Sequence, residues 1–243
     1  MPHGLPDWWG AAPKSTTYGL QDMAELAVRL GGISSFDRRG DIIFMEDFAS
    51  GTARVYTSGT GTGYDAYPAI DAPLSGGIHL MLQTGNAAGN QAWLSKELVY
   101  PALGCIGIEC AFVARRDQHY FFLRLFEYLT SESREYRAIY DIVNGTVKVQ
   151  HSDGQYHLVG VPGLTYLGYN DYNVMKMVID ILNVKYIRVL FNDHTYIADA
   201  YQPYVTAGSY RKCMAADVEV TANVANSMPV PIDNFIVTQN EPA

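Results

Sequence analysis

The sequence predicts an all-β domain, an antiparallel sandwich or barrel, preceded by an extended arm and one short helix. Three observations carry this. After residue 41 apolar and polar residues alternate, the period-2 signature of strands with one buried face. Turn signals recur about every ten residues, the strongest being Asn144-Gly145 between two alternating runs. Aromatic residues make up 12% of the 243, and 18 of them are tyrosines. That composition favours strands and contact surfaces over long helices.

The elements follow in order. Residues 1–19 form an arm rich in Gly, Pro, Ser and Thr. Within it, LPDWWGAAPKST sets Trp8 and Trp9 between Pro6 and Pro13. Two adjacent indoles are costly to leave in water, so they call for something to pack on. In TTYGLQDMAELAVRLGG, Leu20, Met23, Leu26, Ala27 and Leu30 recur at helical spacing. Asp22 and Glu25 lie early, Arg29 lies late and Gly31-Gly32 closes, which predicts an amphipathic helix of about three turns. A helix this short is unstable alone, so its stripe must dock. On its own sandwich it would act as a clasp. On a neighbouring subunit Trp8, Trp9, Leu20, Met23, Leu26 and Leu30 would be interface anchors.

The predicted boundary lies near residue 40, dividing an arm and helix (1–40) from a sandwich (41–243). DIIFMEDF opens the sandwich as a strand. Residues 50–77, rich in Gly, Ser and Thr, read as a long loop or several short strands. IHLMLQT, AWLSKELVY, CIGIECAFVA and HYFFLRLFEYL follow as strands. REYRAIYDIV then turns at Asn144-Gly145 into TVKVQHS. In NVMKMVIDILNVKYIRVLFND, Met175, Met177, Ile179 and Ile181 share one face, with Lys176 and Asp180 on the other. A turn near Leu182-Asn183 makes this a hairpin. CMAADVEVTANV and PIDNFIVTQN supply two late strands.

Seventeen Lys/Arg against 25 Asp/Glu leave a net charge of −8. No run of basic residues exceeds two, which argues against nucleic-acid partners and anionic membrane surfaces. No apolar stretch reaches the ~20 residues of a membrane span. No basic segment followed by an apolar run opens the chain, so no secretion signal is expected and synthesis in a cytoplasm is. Cys105, Cys110 and Cys213 are too few and too oddly spaced for a disulfide framework and read as small buried apolar residues. The six histidines lack metal-ligand spacing, although His151 and His157 straddle a turn and could approach across a hairpin. GTGTG at 59–63 lacks the helix and Lys-Ser/Thr of a phosphate loop.

One pair of strands has the residues of a ligand groove. Tyr120, Phe122, Arg124 and Phe126 share a face of one strand, and Glu135, Arg137, Ile139 and Asp141 share a face of the next. If these faces coincide, two guanidinium groups sit among aromatic rings and acids. Rings that stack on sugars beside planar polar groups that take hydroxyls are what a glycan site needs. Tyr120, Phe122, Arg124, Glu135, Arg137 and Asp141 are therefore the candidate ligand residues.

The order of features resembles a known family. Glu46-Asp47-Phe48 near the first strand, then HYFFLRLFE, YRAIYDIVNGTVKVQHSDGQY, NVMKMVIDILNVKYIRVLFNDHTY and a closing IDNFIVTQ together resemble the concanavalin-like lectin/glucanase jelly roll, including laminin-G-like and glucan-binding domains. The resemblance spans roughly residues 41–240 and implies a jelly-roll β-sandwich. It also implies a structural Ca²⁺ where the first and last strands meet, at Asp47 and Asp233, the plainer reading being strand-end residues bound to backbone amides. No other cofactor is implied. Glucanases of this fold carry three alternating carboxylates on one strand, and no such set occurs here. Asp217 and Glu219 share a face as a pair only, read as solvated. A non-enzymatic protein is expected.

The PDWWG…PKST…ELAVRLG…FDRRGD preface resembles the openings of phage structural proteins. This implies a decoration or attachment component on a virion surface, assembled with copies of itself or other virion subunits, with a glycan as further partner. The alternative is a stand-alone carbohydrate-binding module.

Overall fold

A computed structural model describes residues 40–49, 54–70, 74, 77–100, 104–162, 171–225 and 228–243. The expected arm and helix, with Trp8, Trp9, Leu20, Met23, Leu26 and Leu30, lie outside these residues. The described residues form sixteen strands and no helix.

The strands build two antiparallel sheets of eight. In the back sheet the order is β13(His194–Ile197), β12(Lys185–Phe191), β11(Asn173–Asp180), β6(Cys105–Phe112), β16(Val230–Gln239), β4(His79–Gln83) and β3(Asp65–Ala69), with β1(Asp41–Glu46) also on β16. In the front sheet it is β10(Tyr156–Gly160), β9(Thr146–Gln150), β8(Glu132–Asp141), β7(Gln118–Tyr128), β15(Cys213–Ala222), β5(Gln91–Leu98) and β2(Tyr56–Gly59), with β14(Tyr204–Ala207) also on β8. The Gly-rich stretch after residue 50 therefore holds two short strands, β2 and β3, each at an edge of its sheet.

Alternation explains the layers. Ile106, Ile108, Cys110 and Phe112 of β6 and Met175, Met177 and Ile179 of β11 point inward from the back sheet. Phe121, Leu123 and Leu125 of β7 and Val218 and Val220 of β15 meet them from the front. Burying these two faces against each other is the main stabilising term of a sandwich. Rings lock the sheets together: Phe112 stacks on Phe121 with centroids 3.6 Å apart, and Tyr140 meets Phe191 at 4.4 Å. Cys110 is buried in this core. Cys105 and Cys213 are only partly buried, unlike the expectation, because both lie on outward positions at strand starts; all three thiols are free.

Both predicted hairpins turn where expected, and they share one device. In Asp141-Ile142-Val143-Asn144-Gly145 the aspartate accepts the Asn144 backbone N–H at 3.1 Å and its side-chain amide at 2.8 Å. In Asp180-Ile181-Leu182-Asn183-Val184 the same bonds form at 3.0 and 2.6 Å. The fifth residue has positive φ in each, 62° at Gly145 and 53° at Val184. Glycine takes this conformation freely and a β-branched valine does not, so the aspartate–asparagine brace holds Val184 in a strained turn.

The first and last strands do meet. β1 pairs with β16, and the DN of IDNF is an irregularity in β16 where its neighbour changes from β4 to β1. Asn234 takes φ 48° there.

Candidate functional site

The register of the front sheet makes the two predicted faces one. Tyr120 lies opposite Asp141, Phe122 opposite Ile139, Arg124 opposite Arg137 and Phe126 opposite Glu135. All project outward, away from the core. On the other side of β7, Arg124 lies opposite Asp217 and Phe122 opposite Glu219 of β15. Ser95 and Trp93 of β5 follow next to these two carboxylates.

Asp217 and Glu219 were expected to be solvated; they are 5% and 0% exposed. The sequence shows that they share a face. It does not show that β15 inserts between β5 and β7, which places an arginine beside them. Arg124 reaches Asp217 Oδ2 at 3.1 Å and Glu219 Oε2 at 2.7 Å. Ser95 donates to Asp217 Oδ1 at 2.6 Å. Arg124 Nε and Glu219 Oε1 are buried and make no hydrogen bond.

Arg137 is held differently. It donates from Nε to Glu135 Oε1 at 2.8 Å, and a second, shorter bond runs from its terminal nitrogen to the same oxygen. Its remaining terminal nitrogen donates to the Tyr156 hydroxyl at 2.8 Å. Both guanidinium groups lie near rings, Arg124 at 5.4 Å from the Phe126 centroid and Arg137 at 5.3 Å from that of Phe122. The Arg137 backbone is pinned as well. Tyr186 crosses from the back sheet, accepts the Arg137 N–H at 2.8 Å and donates to the Gln150 carbonyl at 2.8 Å.

Asp141 shares this face but serves its turn. Lys148 binds it at 2.7 Å in addition to Asn144. Burial raises its carboxyl; these bonds outweigh burial and bring it below the ordinary range. Tyr120 stacks on His119, centroids 3.6 Å apart. Of the expected ligand residues, Phe122 and Asp141 are closed to solvent at 4% and 1% exposure, whereas Tyr120, Arg124, Glu135 and Arg137 keep partial access, as do Phe126 and Tyr128; Tyr156 and Tyr204 are more exposed beyond them.

The outward face of the back sheet also carries charges, but the chain closes it. Glu241 lies 2.7 Å from Lys176 and 3.5 Å from Arg188, and Arg188 donates to the Pro242 carbonyl at 2.7 Å. Side-chain exposure is 1% for Lys176, 0% for Glu241 and 6% for Arg188, against 13% for Arg124 and 17% for Arg137. A Cβ at Gly107 would come within 2.4 Å of Thr238 Oγ1, so the C-terminal turn depends on that glycine.

Of the two residues implied as calcium ligands, Asp233 is fully buried and accepts the Leu74 and Asn234 amides at 3.0 and 2.7 Å. Asp47 accepts the Ala49 amide at 3.1 Å. Both carboxylates thus accept backbone amides. Among the described residues no group of three or more His, Cys, Asp or Glu is arranged to hold a metal ion. His151 and His157 do approach across their hairpin, ring centroids 5.3 Å apart.

Burial raises the Asp217 and Glu219 carboxyls, and the Arg124 charge opposes this without cancelling it. Between the ordinary carboxylate value of about 4 and the raised folded value, the folded chain binds more protons than the unfolded one. Stability from these groups is thus greatest on the acid side and falls as pH rises through that window. Glu219→Gln removes one titration. In urea unfolding from about pH 4 to pH 7, the wild type should lose stability relative to Glu219→Gln. A wild type that gains on the variant over this range contradicts the assignment.

No protein-family model matches the chain, and no curated protein matches it. Among solved structures it is similar to a protein of unknown function with a galectin-like fold from Bacillus subtilis, at 14% identity over 82% of this chain and 96% of that one, TM-score 0.51. It also aligns with a carbohydrate-binding module of the β-sandwich superfamily (10% identity, 85% and 63% covered, TM-score 0.46). A third alignment is to a conserved carbohydrate esterase from Shiga toxin-encoding bacteriophage phi24B (13% identity, 76% and 90% covered, TM-score 0.44). At such identities the likeness concerns the fold alone, a two-sheet β-sandwich, and the two weaker alignments add nothing to it.

Proposed function

We propose that the chain is a carbohydrate-binding protein whose site is the outward face of the front sheet, around Arg124, Arg137, Glu135 and Phe126. One observation carries this reading. Two guanidinium groups and three carboxylates converge between aromatic rings, and of these Arg124, Arg137 and Glu135 are partly open to solvent. Hydroxyl-rich ligands need rigid polar groups beside apolar rings, and ion pairs supply the rigidity before the ligand arrives. The reading is binding rather than turnover, and the carboxylates around Arg124 and Arg137 are each paired with a guanidinium. Arg137→Ala should weaken binding of the best ligand on a glycan array by roughly 10- to 100-fold, the worth of a hydrogen bond to a charged group. Unchanged affinity by calorimetry would remove Arg137, and with it this face, from the reading.

The wider role inferred is attachment or decoration on a phage-like particle, with residues 1–40 joining neighbouring subunits. It is supported by the N-terminal sequence, where Trp8 and Trp9 have the character of interface anchors. Light scattering of the full chain should give a defined oligomer that Trp8→Ala/Trp9→Ala dissociates to folded monomers. A monomeric wild type at all concentrations would leave the stand-alone carbohydrate-binding module.

A further inference from the structure

We infer that the ligand of this face is an uncharged glycan, and that the face rejects acidic ones such as polyuronates and sulfated polysaccharides. The inference rests on the carbohydrate reading above and concerns its substrate class. The reason is the charge balance of the site. Arg124 is matched by Asp217 and Glu219 and Arg137 by Glu135, so two cations face three carboxylates. The next cation on the face, Lys148, is matched by Asp141. Each of these cations is already matched by a carboxylate, so none of them is left over to neutralise an incoming anion.

Hydrogen-bond chemistry points the same way. A sugar hydroxyl both donates and accepts, so it fits where a guanidinium N–H and a carboxylate oxygen lie side by side. The Arg124–Asp217 pair presents that combination across β7 and β15, and the Arg137–Glu135 pair presents it along β8. A carboxylate or sulfate ligand only accepts. It would have to displace a resident carboxylate from its arginine, leaving that carboxylate uncompensated.

The test is a binding series on the full chain by affinity electrophoresis and calorimetry. The neutral probes are mannan, galactan and β-glucan; the acidic probes are polygalacturonate, alginate and carrageenan. At least one neutral glycan should bind more than about tenfold tighter than every acidic one, since placing like charges together is costly. Its affinity should change by less than about twofold between low and high salt, because no net charge is neutralised. Glu135→Gln should release Arg137 and raise polygalacturonate affinity relative to the wild type. Tighter binding of an acidic glycan by the wild type overturns the charge-class inference and leaves the carbohydrate reading standing. Binding of no glycan at all, by a chain shown folded by circular dichroism, overturns both.

Discussion

A charge can be buried on a sheet face only when a counter-charge lies within reach, and β15 gives Arg124 two. Asp217 lies directly across from it and Glu219 one step along the same strand. Removing one partner of such a cluster leaves the other uncompensated, at a cost of about 3–5 kcal/mol. The arrangement therefore demands that β7 and β15 be neighbours in this register. A slip of one residue would turn both carboxylates into the core. Alternation along β7 carries Phe122 and Phe126 onto the arginine face, and the β7–β8 register sets Arg137 beside Arg124.

The two sheets use outward charges to different ends. On the back sheet Lys176, Arg188 and Glu241 form a closed set under the chain's own C-terminal turn, with hydrogen bonds from Arg188 to Pro242 and from Thr238 to Glu241. Those groups are paired with one another and are almost wholly out of solvent. On the front sheet Arg124 and Arg137 keep partial access, with tyrosines at the rim. Tyr186 joins the two layers: its ring packs in the core against Tyr136, and its hydroxyl bridges β8 and β9 at Arg137. Packing between the sheets thus holds the backbone under the candidate site.

Much of the fold was legible because strands declare themselves locally. The alternation in HYFFLRLFEY and REYRAIYD, with the turn signal at Asn144-Gly145, gives strand, face and hairpin without knowledge of any distant residue. The likeness of IDNFIVTQ to a closing strand likewise anticipates its pairing with β1. Adjacency between strands far apart in sequence was not legible. Asp217 lies 93 residues from Arg124, and nothing in CMAADVEVTANV states that its outward carboxylates lie under an arginine; they read as solvated for that reason. Strands β2 and β3 were legible only as one of two alternatives, a loop or several short strands, because they are short, Gly-rich or Pro-containing edge segments. Asp141 was read as a ligand residue from its face alone, whereas its partner three residues later ties it to the turn.

The central claim is that the ion-paired face of the front sheet is where ligand meets the chain. Side-chain NMR of arginine Nε–H groups tests this most directly, by titrating the labelled full chain with a neutral oligosaccharide. The account predicts saturable shifts at Arg124 and Arg137 and none at Arg188, which lies under the C-terminal turn of the opposite sheet. Shifts confined to Arg188, or to residues at the edge strands, would contradict it.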